Sequence, residues 1–202
     1  MQINIDKKTG VFLAIIALLL AVIASLAINR GDHGGSKGMD RHIDSSHGKA
    51  SDIYTGADIM FLQMMIPHHQ QAIDISNLAL KTTQDAELKE LATIIARDQA
   101  AEIVQMKSWL NDAGASEDMG HSMHGMGGML TDEELVALKA AKGSVFDRLW
   151  LEGMTNHHDG AIHMTQMIED AKNADIKAFG NKVIADQSAQ IAQMKEMLKR
   201  IC

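Results

Sequence analysis

A chain that writes the same phrase twice has to fold as two equivalent halves, and this one repeats a phrase built on adjacent histidines. Met65-Ile66-Pro67-His68-His69-Gln70-Gln71-Ala72-Ile73 returns as Met154-Thr155-Asn156-His157-His158-Asp159-Gly160-Ala161-Ile162. Successive residues of a helix turn by about 100°, so with Met65 as reference His69 lies about 40° to one side and His68 about 60° to the other. Ala72 and Ser76 fall between them. Met154, His157, His158, Ala161 and Thr165 repeat that arrangement. Each copy sets two imidazoles and a thioether around small side chains, which is half of a site.

The segments that follow each phrase repeat too. Asp98-Gln99 recurs as Asp186-Gln187, and Gln105-Met106-Lys107 recurs as Gln193-Met194-Lys195. The apolar stripe Phe61, Leu62, Met65, His69, Ala72, Ile73, Ser76 and Leu80 predicts a helix over about 56–80, with Pro67 kinking it one turn before the histidines. A second stripe, Leu88, Ala92, Ile95, Gln99, Ile103, Met106 and Leu110, predicts a helix over about 86–111. Thr131-Asp132-Glu133-Glu134 has capping-box form and starts a short helix to about residue 142. Long helices over about 144–171 and 174–201 complete the second copy. The chain has only four Phe, two Trp and one Tyr against fifteen Met, a balance that favours helices over an aromatic, β-branched sheet core. The expected fold is all-α: an antiparallel four-helix bundle over residues 56–202, made from two repeated helical hairpins that bury their matching apolar faces.

Upstream, Lys7 and Lys8 precede an apolar run over 11–28 in which Ser25 is the only polar side chain. This segment, within residues 1–30, enters a membrane. It is expected to stay as a signal-anchor or transmembrane helix that tethers the protein to the inner or cytoplasmic membrane. Ser25-Leu26-Ala27 offers a cleavage pattern that would release the protein as secreted. With the lysines on its N-terminal side, the rest of the chain is exported to a periplasmic or other extracytoplasmic space. Residues 31–55, rich in Gly, Ser, Asp, Lys and His, read as a flexible linker in which His33, His42 and His47 are solvated. A net charge of −7 with no basic stripe argues against a nucleic-acid partner. The single Cys202 cannot form an internal disulfide.

A lone buried histidine is best read as a polar core residue hydrogen-bonded to a neighbour, here Gln99, Gln187 or Glu102. Four histidines, as duplicated pairs beside the centres of two apolar stripes, are costly to bury without a ligand. They point to metal. Imidazole suits Cu, Zn, Ni and Fe, and thioethers select Cu(I). Met65, Met154, Met106 and Met194 lie near the centres of their stripes, where each alone is also an ordinary core filler. A second pointer to copper is the glycine-rich segment over 113–130, with Met119, His121, Met123, His124, Met126 and Met129. His163 has Asp74 as its counterpart and reads either as an outer-face residue or as a peripheral site.

The runs Phe61-Leu62-Gln63-Met64-Met65-Ile66-Pro67-His68-His69, Glu102-Ile103-Val104-Gln105-Met106-Lys107-Ser108-Trp109-Leu110 and His157-His158-Asp159-Gly160-Ala161-Ile162-His163-Met164 closely resemble the bacterial domain-of-unknown-function family 305. That resemblance covers about 55–201. It implies a ferritin-like four-helix bundle and, for some members, exported copper binding linked to copper resistance. The matching positions are Met65, His68, His69, Met154, His157, His158, Met106 and Met194. Asp74 against His163, and Gln190 against Glu102, depart from strict symmetry.

The sequence thus predicts an exported protein, not an enzyme, that sequesters or hands on copper as Cu(I) or Cu(II), with other divalent metals admissible. Its bundle histidines and thioethers would form the firmer site, and His121, Met123, His124 and Met126 an acquisition arm. A further partner would be another exported copper carrier or transporter. Two other classes compete: a metal-free helical interaction module at the membrane, and a ferritin-like di-metal oxidase. The second is weak, because paired Glu-x-x-His motifs are its hallmark and none occurs in the chain.

Overall fold

The computed structural model describes residues 53–118 and 127–201. The expected membrane helix, most of the linker, and the candidate ligands His121, Met123, His124 and Met126 lie outside the described residues. Among the described residues the secondary structure is entirely helical, and no helix is long and apolar enough to cross a membrane. The elements are α1 (Gly56–Thr82), α2 (Ala86–Asp112), α3 (Asp132–Ala140), α4 (Gly143–Met164) and α5 (Ala174–Ile201), with a single 3-10 turn, Thr165–Ile168, after α4.

Local chemistry sets the ends of these helices. Thr55 caps α1 through a reciprocal box: its hydroxyl accepts from the Asp58 backbone N–H at 3.2 Å, and Asp58 accepts from the Thr55 N–H at 2.7 Å. Asp85 accepts from the Leu88 N–H at the start of α2. Thr131 and Glu134 form the capping box that their spacing predicts for α3. The helix expected over 144–171 stops earlier, at Met164. There the Thr165 hydroxyl donates to the Ile162 carbonyl at 2.7 Å, and the chain tightens into the 3-10 turn. α1 runs continuously through Pro67.

α1 and α2 form one hairpin and α4 and α5 the other, each joined by a short connection, so the partners are antiparallel. The hairpins meet mainly along α1 and α4, where the buried Trp150 indole donates to the Ile75 carbonyl at 3.0 Å. Arg200 reaches across to Asp85 and Glu87, tying the end of α5 to the start of α2.

The core these helices enclose is in two parts. One apolar cluster gathers Ile75, Leu88, Leu91, Ile95, Phe146, Trp150, Leu151, Met154 and Met194. The other gathers Phe61, Leu62, Met65, Ile103, Met106, Trp109, Ala161, Met164 and Phe179. On every long helix the changeover falls at buried polar residues: His68 and His69 on α1, Gln99 on α2, His157 and His158 on α4, Gln187 on α5. A polar layer therefore cuts the core at mid-height. The α2 stripe is buried throughout as expected, but that of α1 needs correction. Leu80 is exposed and Ile73 only half-buried, while Ile75 and Ala79 face inward. The inward face of α1 is centred between His68 and His69, on Met65, Ala72 and Ser76, as the helical angles place it.

Candidate metal centre in the polar layer

All four paired histidines are fully buried. The rings of His68 and His157, one from each hairpin, stack with centroids 3.8 Å apart and a tilt of 38°. His69 lies 6.5 Å from His68, and His158 lies 6.3 Å from His157. The two phrases thus meet at their first histidines, and the second histidines stand to either side.

The outer rings are anchored. His69 Nε2 is 2.9 Å from the Glu102 carboxylate on α2, and His158 Nε2 is 2.6 Å from the Gln190 Oε1 on α5. Glu102 also accepts from Lys182 at 2.7 Å, and Lys182 donates to Asp186 at the same distance. Of the partners expected for a hydrogen-bonded histidine core, Glu102 serves, while Gln99 and Gln187 do not. Gln190 was legible only as the repeat counterpart of Glu102. Both nitrogens of His68 and of His157, Nδ1 of His69 and His158, both amide atoms of Gln99 and Oε1 of Gln187 are buried without a hydrogen-bond partner. Native cores leave few such atoms, so their concentration in one layer makes that layer the candidate site.

The electrostatics keep His68, His157 and His158 neutral. Burial, helped by His69, pushes the His68 pKa down to about 3, with the Gly127 backbone opposing. Burial and the neighbouring histidines hold His157 well below its usual range. Burial takes His158 down to about 4, against the Gln190 hydrogen bond. Burial also works against charge on Glu102, yet the bonds from His69 and Lys182 outweigh it and keep this carboxyl below the ordinary value. A neutral imidazole has a free lone pair, which is the form that binds metal.

The end of the glycine-rich segment closes over this layer. Gly128, at φ +86°, packs on the α4 backbone: a Cβ there would lie 2.5 Å from the Asn156 carbonyl oxygen and 3.0 Å from that of His157. A Cβ on Gly160 would likewise meet Gly127 and Gly128. From the other side, Gln71 on α1 accepts from the Leu130 N–H at 2.8 Å and donates to its carbonyl at 3.0 Å. Gln71 and Gly160 occupy equivalent positions of the repeated phrase. They have diverged into the two jaws that hold this strap.

The candidate methionines are buried but divided. Met65 and Met106 belong to one apolar cluster, Met154 and Met194 to the other, so they flank the layer from both sides. Among the described residues, no three His, Cys, Asp or Glu side chains are grouped to hold a metal ion by themselves. The stacked His68 and His157 rings bring their faces together rather than their in-plane lone pairs, so they would have to turn to share an ion. His163 is exposed and bonded to Asp159 on its own helix, which places it on the outer face.

The family description "Domain of unknown function (DUF305)" matches residues 58–198. The chain belongs to the DUF305 family. A DUF305 protein from Streptomyces coelicolor, named as a candidate secreted protein, is similar in structure at a TM-score of 0.66 and 30% identity, over 72% of this chain and 92% of that one. CopM in its Cu(II)-bound form is similar at a TM-score of 0.59 and 35% identity, over 71% of this chain and 96% of CopM. The protein L153 of Acanthamoeba polyphaga mimivirus is 42% identical over 55 residues, and this chain spans only 36% of it.

Proposed function

We propose that this DUF305 protein is an exported copper-binding protein, a ferritin-like antiparallel four-helix bundle that sequesters the ion or passes it on without turning over a substrate. The observation that carries the reading is the stacked His68–His157 pair, buried, neutral and with every ring nitrogen unpartnered. The donor types suit copper: four imidazoles that each have an unpartnered nitrogen, and thioethers on both sides of the layer. Structures of CopM with Cu(II), Cu(I) and silver bound support the choice of metal. The secreted description of the Streptomyces relative supports export, with residues 11–28 as the signal or anchor.

In this reading His68 and His157 take the ion, and His69 and His158 complete its surroundings through Nδ1. Met65, Met106, Met154 and Met194 supply soft flanks. His121, Met123, His124 and Met126 collect copper from outside. Metal analysis after exhaustive dialysis tests the bundle site. Wild type should retain copper that a His68→Gln/His157→Gln double variant, close in shape and still polar, loses. Equal retention by both would overturn the assignment.

A further inference from the structure

His68 and His157 are fully buried, so whatever meets their rings must first displace something that covers them. Over the α1–α4 side that cover is the strap, Gly127–Leu130. The Gly127 backbone is near enough to act on the His68 ring, and a Cβ on Gly128 would lie 3.0 Å from the His157 carbonyl oxygen. Gly127 is exposed and Gly128 half-buried, so a single thickness of backbone stands between the pair and water. These two glycines bring no side chain to the contact, and lifting them uncovers little apolar area. The far end of the strap is fastened by the Leu130 side chain in the core and by the two bonds from the Gln71 amide to the Leu130 backbone. Thr131 follows at once as the capped start of α3, a fixed point about which the strap can swing.

We propose that the strap is a hinged cover with the Gln71 amide as its latch, so that small solutes reach His68 and His157 between α1 and α4. The inference goes beyond the copper reading and stands whatever the layer binds. A segment fastened by a few contacts opens locally at a free energy far below that of global unfolding, and each hydrogen bond that holds it closed adds a modest increment. Entry from the α2–α5 side meets more resistance. There the Lys182 bridge from α5 to Glu102 on α2 would have to break, and the Glu102 and Gln190 side chains would have to leave His69 and His158. The asymmetry of the repeat at this position thus separates two tasks: Gly160 gives the strap a flat seat, and Gln71 decides how often it lifts.

Labelling of the full chain with diethyl pyrocarbonate at about pH 7, with no metal added and each histidine read by mass spectrometry, tests this. The reagent acylates an unprotonated ring nitrogen, and the exposed His163 serves as internal reference. In wild type, His68 and His157 should label far more slowly than His163. Gln71→Ala, which removes both bonds to Leu130, should speed their labelling about tenfold or more and leave the His163 rate unchanged. Thr55→Ala weakens the α1 cap and overall stability without touching the strap, and Lys182→Met loosens the α2–α5 side. Both should stay within a few-fold of wild type. Wild-type rings that label as fast as His163, or a Gln71→Ala protein no faster than wild type, would overturn the cover. An acceleration matched by Thr55→Ala would mean access through global unfolding, and one matched or exceeded by Lys182→Met would place the entrance between α2 and α5. Either result would also overturn the proposal.

Discussion

Replacing Gly160 with alanine tests whether the strap over the histidine layer is seated as described. In an ordinary helix interior, Gly→Ala stabilises by about 1 kcal/mol. At Gly160 the new Cβ would stand 2.5 Å from the Gly127 carbonyl carbon and 2.8 Å from Gly128 Cα, with the Gly127 oxygen nearer still. These are backbone atoms and cannot turn aside, so the strap must shift. Overpacking of this kind costs about 1–3 kcal/mol, and release of the two Gln71–Leu130 bonds adds about 1 kcal/mol for each. Set against the helix gain, the net loss is about 2–4 kcal/mol, a fall of about 4–16 °C in melting temperature for a domain of this size. Gly153→Ala is the internal control. Its Cβ would meet only the end of the Leu130 side chain, at 3.1 Å, which can rotate away. Thermal unfolding followed by circular dichroism should show Gly160→Ala clearly below both wild type and Gly153→Ala. A Gly160→Ala protein more stable than wild type would mean that the strap does not rest on α4.

Two further outcomes follow from the same layer. Because His68, His157 and His158 resist protonation in the fold while unfolded histidine titrates near 6.5, the unfolded chain binds the extra protons. Apo stability should therefore fall as pH drops from about 6.5 towards about 4, by up to about 1.4 kcal/mol per pH unit for each such histidine. Urea unfolding at pH 7 and pH 5 checks the sign, and equal midpoints would contradict neutral burial. His163→Ala removes an exposed ring bonded only within its own helix. It should change stability by less than about 0.5 kcal/mol and leave copper retention unaltered in dialysis, whereas loss of a bound equivalent would make His163 a ligand.

Much of this architecture was written in helical periodicity. The α2 stripe, the Thr131–Glu134 box and the bounds of α5 all rest on local signals that survive in the fold. The centre of the α1 face, between His68 and His69, was legible from helical angles, but Ile73 and Leu80 were named on its edge where Ile75 and Ala79 are the buried residues. The early end of α4 hinged on a Thr165 hydroxyl competing for a backbone carbonyl, which periodicity does not report. The paired histidines could be named from the sequence, since duplication of a buried polar motif is itself a signal. Which ring would stack on which could not, because that depends on how two hairpins meet. Gln71 and Gly160 illustrate the same limit. Their divergence at one repeat position acquires meaning only when Gly127–Leu130 is seen lying between them.

The central claim is that one ion is taken by imidazoles from both halves of the repeat. Its most direct test is to follow the ring ¹⁵N resonances of the histidines as one equivalent of Ag(I), a diamagnetic stand-in for Cu(I), is added to the labelled full chain. The account predicts that His68 and His157 shift together, with Nδ1 of His69 and His158 responding after them. Shifts confined to His121 and His124, with the four paired rings unmoved, would contradict it.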